Sequence, residues 1–206
     1  MNICVFASGA GTNFQAILDS INKGYLNSKV SLLITNNSTC GAVDIAKKNS
    51  IDHLHISRKI FPGLPDNKYS EMLLTSLKKY EIDFIVLAGY MKMLETVVLN
   101  KYKNKIINTH PALLPSFGGK GMFGINVHKA AIASGVKVSG ITIHLVDENY
   151  DEGKIIFQKC CDVDFDDDEF SLQKKIQKME HKYYPEIIKK FEEEKVEILN
   201  GKVKVN

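Results

Sequence analysis

The sequence predicts an α/β fold: a doubly wound, mostly parallel sheet followed by a C-terminal antiparallel extension. Three observations lead to this prediction. The first half alternates short apolar runs with amphipathic stretches, residues 84–88 are apolar on both faces as a central parallel strand should be, and two alternating segments near residue 150 flank a short acidic connection. At 206 residues we expect one domain spanning 1–206, with an N-terminal half of about 1–100 and a C-terminal half of about 101–206.

The expected elements of the first half follow one another in strict alternation. The strands are predicted at 3–7, 30–35, 53–56 and 84–88, and the helices at 13–22, 41–48 and 68–79. In the second half, a buried strand at 106–108 opens into a Pro/Gly-rich loop at 109–124, and a helix follows at 127–133. Strands at 138–146 and 154–163 should pair antiparallel, a helix should cover 169–194, and 195–203 could form an edge strand.

Composition and charge are those of an ordinary globular protein. A net charge of +3 is too small to suggest nucleic-acid or membrane partners, so the charged residues are read as a mixed solvated surface. The N-terminus lacks a signal peptide's features and no apolar run could span a membrane, so we expect a cytoplasmic protein. The four cysteines have no metal-binding spacing, and the acidic run 162–169 lacks the pattern of a calcium loop; no metal is expected.

A glycine loop, Ser8-Gly9-Ala10-Gly11-Thr12-Asn13, lies between the first strand and the first helix. Ligands of doubly wound sheets bind at this position, where free N–H groups at a helix start favour an anion. Phe14 replaces the third glycine of a dinucleotide fingerprint, and no lysine of the nucleoside-triphosphate type follows. Two readings stay open: a cradle for one phosphate monoester, or a plain turn with Thr12 or Asn13 as N-cap.

Asn108 and His110 are two residues apart and should point to the same side at the end of a buried strand. An amide and an imidazolium can stabilise the oxyanion of an acyl-transfer intermediate, and a histidine or carboxylate can accept a proton from an attacking amine. The alternative is structural, with Asn108 capping the loop and His110 satisfied internally.

The segment Asn108-Thr109-His110-Pro111-Ala112-Leu113-Leu114-Pro115 resembles the NxHPSLLP signature of folate-dependent formyltransferases. Downstream, residues 140–153 resemble the segment of the same family that ends in D-x-G. By this resemblance the catalytic carboxylate is Asp151 rather than Asp147, and it completes a catalytic set with Asn108 and His110. The resemblance covers essentially the whole chain.

The resemblance also implies substrate contacts and an activity, the transfer of a formyl group from 10-formyltetrahydrofolate to the amine of glycinamide ribonucleotide. The amine would attack directly, and no metal would be needed. The protein would be a monomer or homodimer whose partners are small-molecule substrates. The residues that match the ribonucleotide contacts of the family are Gly11, Thr12, Asn13, Gln177 and Glu180, with His181 closing the Q-x-x-E-H match. Those that match its folate contacts are Tyr90, Met91, Lys92, Met93, Leu94, Asn108, Asp147, Tyr150 and Asp151.

The sequence departs from the family pattern at three places. Lys92 stands where arginine is usual, the arginine expected before the third helix has only Lys68 as a candidate, and the loop 116–124 is longer and richer in glycine. Rival readings are a sugar-amine formyltransferase or a formyltetrahydrofolate hydrolase on the same catalytic core, and a non-catalytic nucleotide-binding module that uses only the glycine loop.

Two further histidines, His128 and His144, lie between His110 and Asp151 in the sequence. His144 should alternate inward with Thr142, where it either orients Asp151 or is structural. His128 lies near the folate pocket by resemblance, whereas its spacing favours a surface position on a helix.

Overall fold

The computed structural model describes residues 1–206, whose contacts group into two compact units: unit 1, Met1–Ile106, and unit 2, Ile107–Asn206. The helices and strands up to the boundary are β1 (Asn2–Ala7), α1 (Thr12–Asn22), β2 (Lys29–Thr35), α2 (Gly41–Lys48), β3 (His53–His55), α3 (Asp66–Lys79), β4 (Phe84–Leu87) and α4 (Thr96–Lys101). Those that follow are β5 (Ile106–His110), α5 (Ile125–Ser134), β6 (Val138–Leu145), β7 (Ile155–Asp162), α6 (Glu169–Glu192), β8 (Val196–Leu199) and β9 (Lys202–Val205).

The strands confirm the predicted fold class. Seven of them form one sheet in the order β3-β2-β1-β4-β5-β6-β7, so the chain winds outward from β1 in one direction and then in the other. The pairs of β1 with β2, β1 with β4, and β2 with β3 are parallel, whereas β5, β6 and β7 pair antiparallel. The prediction of a single domain stays a prediction.

Unit 1 is organised around β1. Residues 3–7 are completely buried, which is why this strand is apolar on both faces. The β1 strand ends at Ala7, and the chain turns through the glycine loop into α1. Since β2 and β4 flank β1 in parallel, the carboxyl end of the central strand of unit 1 carries this loop.

Unit 2 packs α5 and α6 against the antiparallel strands. Ala131 of α5, Ile141 of β6, and Leu172 and Ile176 of α6 form a buried cluster, and Phe117 packs against it from the loop after β5. The long α6 helix begins with a capping box, in which the Asp168 carboxylate accepts from two backbone N–H groups. The acidic stretch before α6 therefore serves as a helix start.

Most predicted elements are confirmed to within about two residues, and the structure differs from the prediction in three features. The short helix α4 was not predicted, because six residues carry too little periodicity. Strand β5 continues to His110 instead of ending at Asn108, because antiparallel pairing with β6 extends it. The last segment forms a separate hairpin, β8 with β9, instead of an edge strand of the main sheet. None of the helices combines the length and apolar character needed to span a bilayer.

Candidate active site

Strand β5 and its antiparallel neighbour β6 bring together the polar side chains of unit 2. Asn108 lies opposite His144, and His110 lies opposite Thr142. Asn108 and His110 are on the same side of the strand because side chains alternate, as the sequence predicted. With Asp151, from the connection after β6, these residues form what we call the polar cluster: Asn108, His110, His144 and Asp151.

Both nitrogens of the buried His110 ring have partners. Nε2 lies 2.8 Å from the carbonyl oxygen of Phe117, and Nδ1 lies 3.5 Å from Oδ2 of Asp151. A carbonyl oxygen only accepts, so Nε2 carries a hydrogen and donates it to Phe117. The other nitrogen, Nδ1, faces the Asp151 carboxylate.

Asp151 is held by its backbone conformation and by a hydrogen bond from the loop after β5. Its φ of 60° lies in the left-handed region, which aspartate adopts more readily than most residues. Oδ2 accepts a hydrogen bond of 2.9 Å from the Gly119 N–H, and Oδ1 lies 3.7 Å from Nε2 of His144. The carboxylate thus joins both histidines of the polar cluster.

His144 contacts Asn108 more closely than it contacts Asp151. Its Nε2 lies 3.1 Å from Nδ2 of Asn108, and its Nδ1 lies 2.8 Å from the Leu145 carbonyl oxygen. The expectation that His144 faces inward is confirmed, since the ring is buried. The Asn108 amide nitrogen faces His144 of β6, so this nitrogen does not cap the loop after β5.

The loop after β5 is fixed by Thr142. Its hydroxyl donates to the Ala112 carbonyl (2.7 Å) and accepts from the Leu114 N–H (2.9 Å). Further along, Gly118 leaves no room for a side chain, because an added Cβ would lie 2.5 Å from Leu114 Cδ2 and 3.4 Å from Asp151 Cβ. The loop backbone can therefore approach the polar cluster closely.

His128 of α5 is buried rather than exposed, so the helix-surface expectation is wrong. Its Nδ1 has no hydrogen-bond partner. Burial first, and His110 second, lower the pKa of His128 to about 4, so the ring is neutral near pH 7. The solvated face of α5 carries Asn126, Lys129 and Ala133, whereas His128 lies on the buried side with Val127 and Ala131.

The remaining candidates of unit 2 lie on two elements. Asp147 and Tyr150 are exposed in the connection that leads to Asp151, where the Asp147 carboxylate accepts from the Asn149 N–H. Glu180 of α6 is buried and its Oε1 accepts a hydrogen bond of 3.1 Å from Thr109. Gln177, one turn earlier on α6, is half-buried.

In unit 1 the glycine loop has a single demanding position. Gly11 has a φ of 80°, and a Cβ there would lie 2.9 Å from Ala42 Cα. Gly11 is itself the N-cap of α1, without a side-chain cap, so the reading with Thr12 or Asn13 as N-cap is wrong. Thr12 is exposed, whereas Asn13 is buried with an unpartnered Oδ1. The helix start therefore presents backbone donors not capped by a side chain.

The glycine loop is tied to the segment after β4 through Ser8. The Ser8 N–H donates to the Gly89 carbonyl (3.1 Å), and Ser8 Oγ accepts from the Met91 N–H (3.1 Å). In that segment Met91 and Lys92 are exposed, Met93 is half-buried and Leu94 is buried. The Tyr90 ring packs edge-on against Phe6, and burial raises the pKa of its hydroxyl well above the usual range.

Two cationic side chains near the start of α3 differ in their contacts. Lys68 is exposed and pairs with Glu71 of its own helix at 3.1 Å. Arg58, the only arginine of the chain, follows β3 and bonds to both Asp66 (2.8 Å) and Glu95 (2.9 Å). The sequence reasoning missed Arg58, although its uniqueness was a signal.

Four other neighbours of the candidate residues were missed, because contacts made only in the folded chain leave no pattern in a sequence: Thr109, Phe117, Gly119 and Gly153. The structure contains no group of three or more His, Cys, Asp or Glu side chains arranged to hold a metal ion.

Comparisons with known proteins point to one family. The sequence profile described as formyl transferase matches residues 1–188. A chloroplastic phosphoribosylglycinamide formyltransferase of Vigna unguiculata is 40% identical over 94% of this chain, which spans 62% of that relative's length. A phosphoribosylglycinamide formyltransferase of Bacillus subtilis is 36% identical, with 90% of this chain and 91% of the relative covered. A crystal structure of glycinamide ribonucleotide transformylase 1 from Symbiobacterium toebii superposes with a TM-score of 0.90 at 34% identity, covering 100% of this chain and 93% of that one.

Proposed function

Because the chain belongs to the formyl transferase family, we propose that it transfers a formyl group from 10-formyltetrahydrofolate to the amine of glycinamide ribonucleotide. The name of the Bacillus subtilis relative, which is covered almost from end to end, supports this choice of acceptor. The product would be N-formylglycinamide ribonucleotide, an intermediate of purine biosynthesis. We further propose a cytoplasmic monomer or homodimer that acts without a metal.

The observation that carries the proposal is the polar cluster itself. Buried side chains of this kind cost free energy unless they are satisfied, and here each of the four has a hydrogen-bond partner in the cluster or in the nearby backbone. Such a set supplies hydrogen-bond donors for a developing oxyanion and a carboxylate for proton transfer.

The proposed reaction proceeds by direct attack. The acceptor amine adds to the formyl carbon, and the carbonyl oxygen gains the negative charge of a tetrahedral intermediate. Donors from Asn108 and from protonated His110 stabilise this oxygen. One proton leaves the attacking nitrogen and reaches the folate nitrogen through water organised by Asp151, and the bond between the formyl carbon and the folate nitrogen then breaks.

One hydrogen bond of the loop after β5 must break before His110 can donate to the oxyanion. His110 donates Nε2–H to the Phe117 carbonyl, and its Nδ1 faces Asp151, so neither nitrogen is free for a substrate in this conformation. We therefore expect the loop 116–124 to release Nε2 when the substrates bind. Its contact through Gly119 to Asp151 would change in the same step.

Substrate contacts are proposed within each unit. In unit 1, Gly11, Thr12 and Asn13 hold the phosphate of the ribonucleotide, supported by the uncapped helix start and the buried Asn13 amide. In unit 2, Glu180 accepts from the ribose hydroxyls, with Gln177 one turn away. The Thr109 hydroxyl donates to Oε1 of the Glu180 carboxylate and so ties this part of α6 to β5.

The folate contacts are assigned to three places. The first is the segment of unit 1 after β4, which comprises Tyr90, Met91, Lys92, Met93 and Leu94. The second is the connection of unit 2 that carries Asp147, Tyr150 and Asp151, together with Asn108 on β5. The third is Lys68, proposed for the glutamate tail because its ammonium is exposed and its one ion pair is local.

One assay tests the proposal against its rivals. The purified chain is mixed with 10-formyltetrahydrofolate, and the absorbance of released tetrahydrofolate is followed with and without glycinamide ribonucleotide. Release that requires the ribonucleotide supports the proposal. Release without an acceptor indicates a hydrolase, release only with an amino sugar indicates a sugar-amine formyltransferase, and phosphate-ligand binding with no folate binding indicates a nucleotide-binding module.

A further inference from the structure

His144 has a contact that the proposed reaction has not used. It lies between the Leu145 carbonyl at Nδ1 (2.8 Å) and the Asn108 amide at Nε2 (3.1 Å). The carbonyl can only accept, so the hydrogen sits on Nδ1. The amide nitrogen can only donate, so Nε2 offers its lone pair. Only the neutral Nδ1–H tautomer satisfies both partners.

The local backbone is built to hold this ring. The pairing of β6 with β7 shifts register between Ile143 and His144, where β7 carries one extra residue, Ile156, so the ladder is interrupted beside the ring. A side chain at Gly153 would collide with the Leu145 carbonyl oxygen, and its Cβ would lie 3.4 Å from His144 Nδ1. Glycine at this position therefore keeps the carbonyl free for the ring.

We propose that His144 is the positioning residue of the Asn108 amide: it accepts one amide hydrogen and thereby directs the second toward the formyl oxygen. This inference rests on the proposed function for the identity of that oxygen. The amide plane is rigid and Nδ2 carries two hydrogens, so fixing one of them fixes the other. An unheld amide would sample orientations that present its own oxygen to the oxyanion.

Protonation of His144 at Nε2 would remove the acceptor for the Asn108 amide hydrogen. A hydrogen on Nε2 would oppose the Asn108 N–H and turn the ring toward Asp151 Oδ1, which is 3.7 Å away. The charged or titratable groups that act on the ring are Asp151, Asp147 and His110. Burial lowers the pKa of His144 and His110 adds to this, whereas the Leu145 carbonyl and the two aspartates act in the opposite direction.

Two substitutions of His144 separate its two hydrogen bonds. In His144→Gln the amide oxygen reaches the position of Nε2 and can still accept from Asn108. In His144→Asn the shorter side chain reaches only the position of Nδ1, so it can bond to Leu145 but leaves Asn108 without an acceptor. We expect kcat to stay within about fivefold of wild type for glutamine and to fall about 30- to 100-fold for asparagine, while both KM values change less than about threefold.

Two further measurements test the coupling. In an Asn108→Ala background, His144→Asn should cause no additional loss of kcat, because the amide it positions is gone. The acidic limb of the kcat profile should lose one titration in His144→Gln. Equal losses in both single variants, or a full additional loss in the Asn108→Ala background, would overturn the proposal.

Nitrogen NMR of the wild-type chain labelled at histidine gives a result that does not depend on activity. The ring of His144, assigned by its loss in His144→Gln, should show a protonated Nδ1 and an unprotonated Nε2 at pH 7. A protonated Nε2 would contradict the inference even in an active enzyme. Absence of ribonucleotide-dependent formyl transfer in the wild type would instead contradict the proposed function and leave the tautomer result standing.

Discussion

The glycine loop of unit 1 and the polar cluster of unit 2 are built in opposite ways. The loop is six consecutive residues whose geometry depends on a missing side chain at Gly11 and whose donors are backbone groups. The polar cluster joins side chains from β5, β6 and the connection after β6, and each depends on a partner distant in sequence. Substitutions in the loop should therefore act on substrate binding, whereas substitutions in the cluster should act on the chemical step.

The largest effect is expected at His110 and Asp151. His110→Ala removes an oxyanion donor and Asp151→Asn removes the carboxylate that organises proton transfer, so each should lower kcat by about 10²- to 10⁴-fold. Steady-state kinetics with both substrates would measure this, with His53→Gln on β3 as the control. Turnover within about threefold of wild type in both cluster variants would show that the assigned roles are wrong.

The same contrast explains how much could be predicted from the sequence. The parallel half of the fold and the position of the glycine loop follow from local periodicity, and they were predicted to within about two residues. The pairing of Asn108 with His144 could not be predicted, because it depends on the antiparallel register of β5 and β6, which brings together residues that are 36 positions apart. The burial of His128 also depends on tertiary packing, which overrides the pattern of a ten-residue helix.

Acid should destabilise unit 2 through His128. The pKa of this histidine is about 4 in the folded chain against an ordinary 6.5, so the unfolded state binds more protons between these values. Its contribution is fully present above pH 6.5 and is lost as the pH falls toward 4, where the free energy of unfolding drops by roughly 3 kcal/mol. Urea unfolding at pH 7 and pH 4 would measure the drop.

The variant His128→Gln isolates this contribution, since glutamine does not titrate. Between pH 7 and pH 4 the variant should lose less unfolding free energy than the wild type. The difference between the two losses is the contribution of His128, because every other titrating group, including His144, is present in both proteins. An equal loss in wild type and variant would show that His128 is not held neutral by the fold.

In the glycine loop, Gly11→Ala should act on binding and on stability together. The new Cβ meets the α2 backbone at Ala42, and φ stays at 80°, so we expect a loss of about 2 kcal/mol in unfolding free energy. The KM for glycinamide ribonucleotide should rise about tenfold or more because the loop shifts, while kcat changes less.

Gly24→Ala is the matched control for the loop, because Gly24 has a φ of 70° but open space around it. It should lose about 1 kcal/mol from backbone strain alone and leave both KM values unchanged. If Gly11→Ala cost no more than Gly24→Ala and left the ribonucleotide KM unchanged, the contact with Ala42 would not matter and the loop would not be the phosphate site.

The smallest effect is expected at Lys68. Its side chain is 61% exposed and already pairs with Glu71, so its attraction to a carboxylate is that of an exposed ion pair, about 0.2–1 kcal/mol. Lys68→Ala should raise the KM of a polyglutamylated formyl donor by about two- to fivefold and leave kcat unchanged, and high salt should abolish the difference.

Lys78→Ala, at the other end of α3, controls for the loss of one positive charge. An equal change in both lysine variants would mean that net charge, rather than a site at Lys68, attracts the tail, and Arg58 between Asp66 and Glu95 would be the next residue to test.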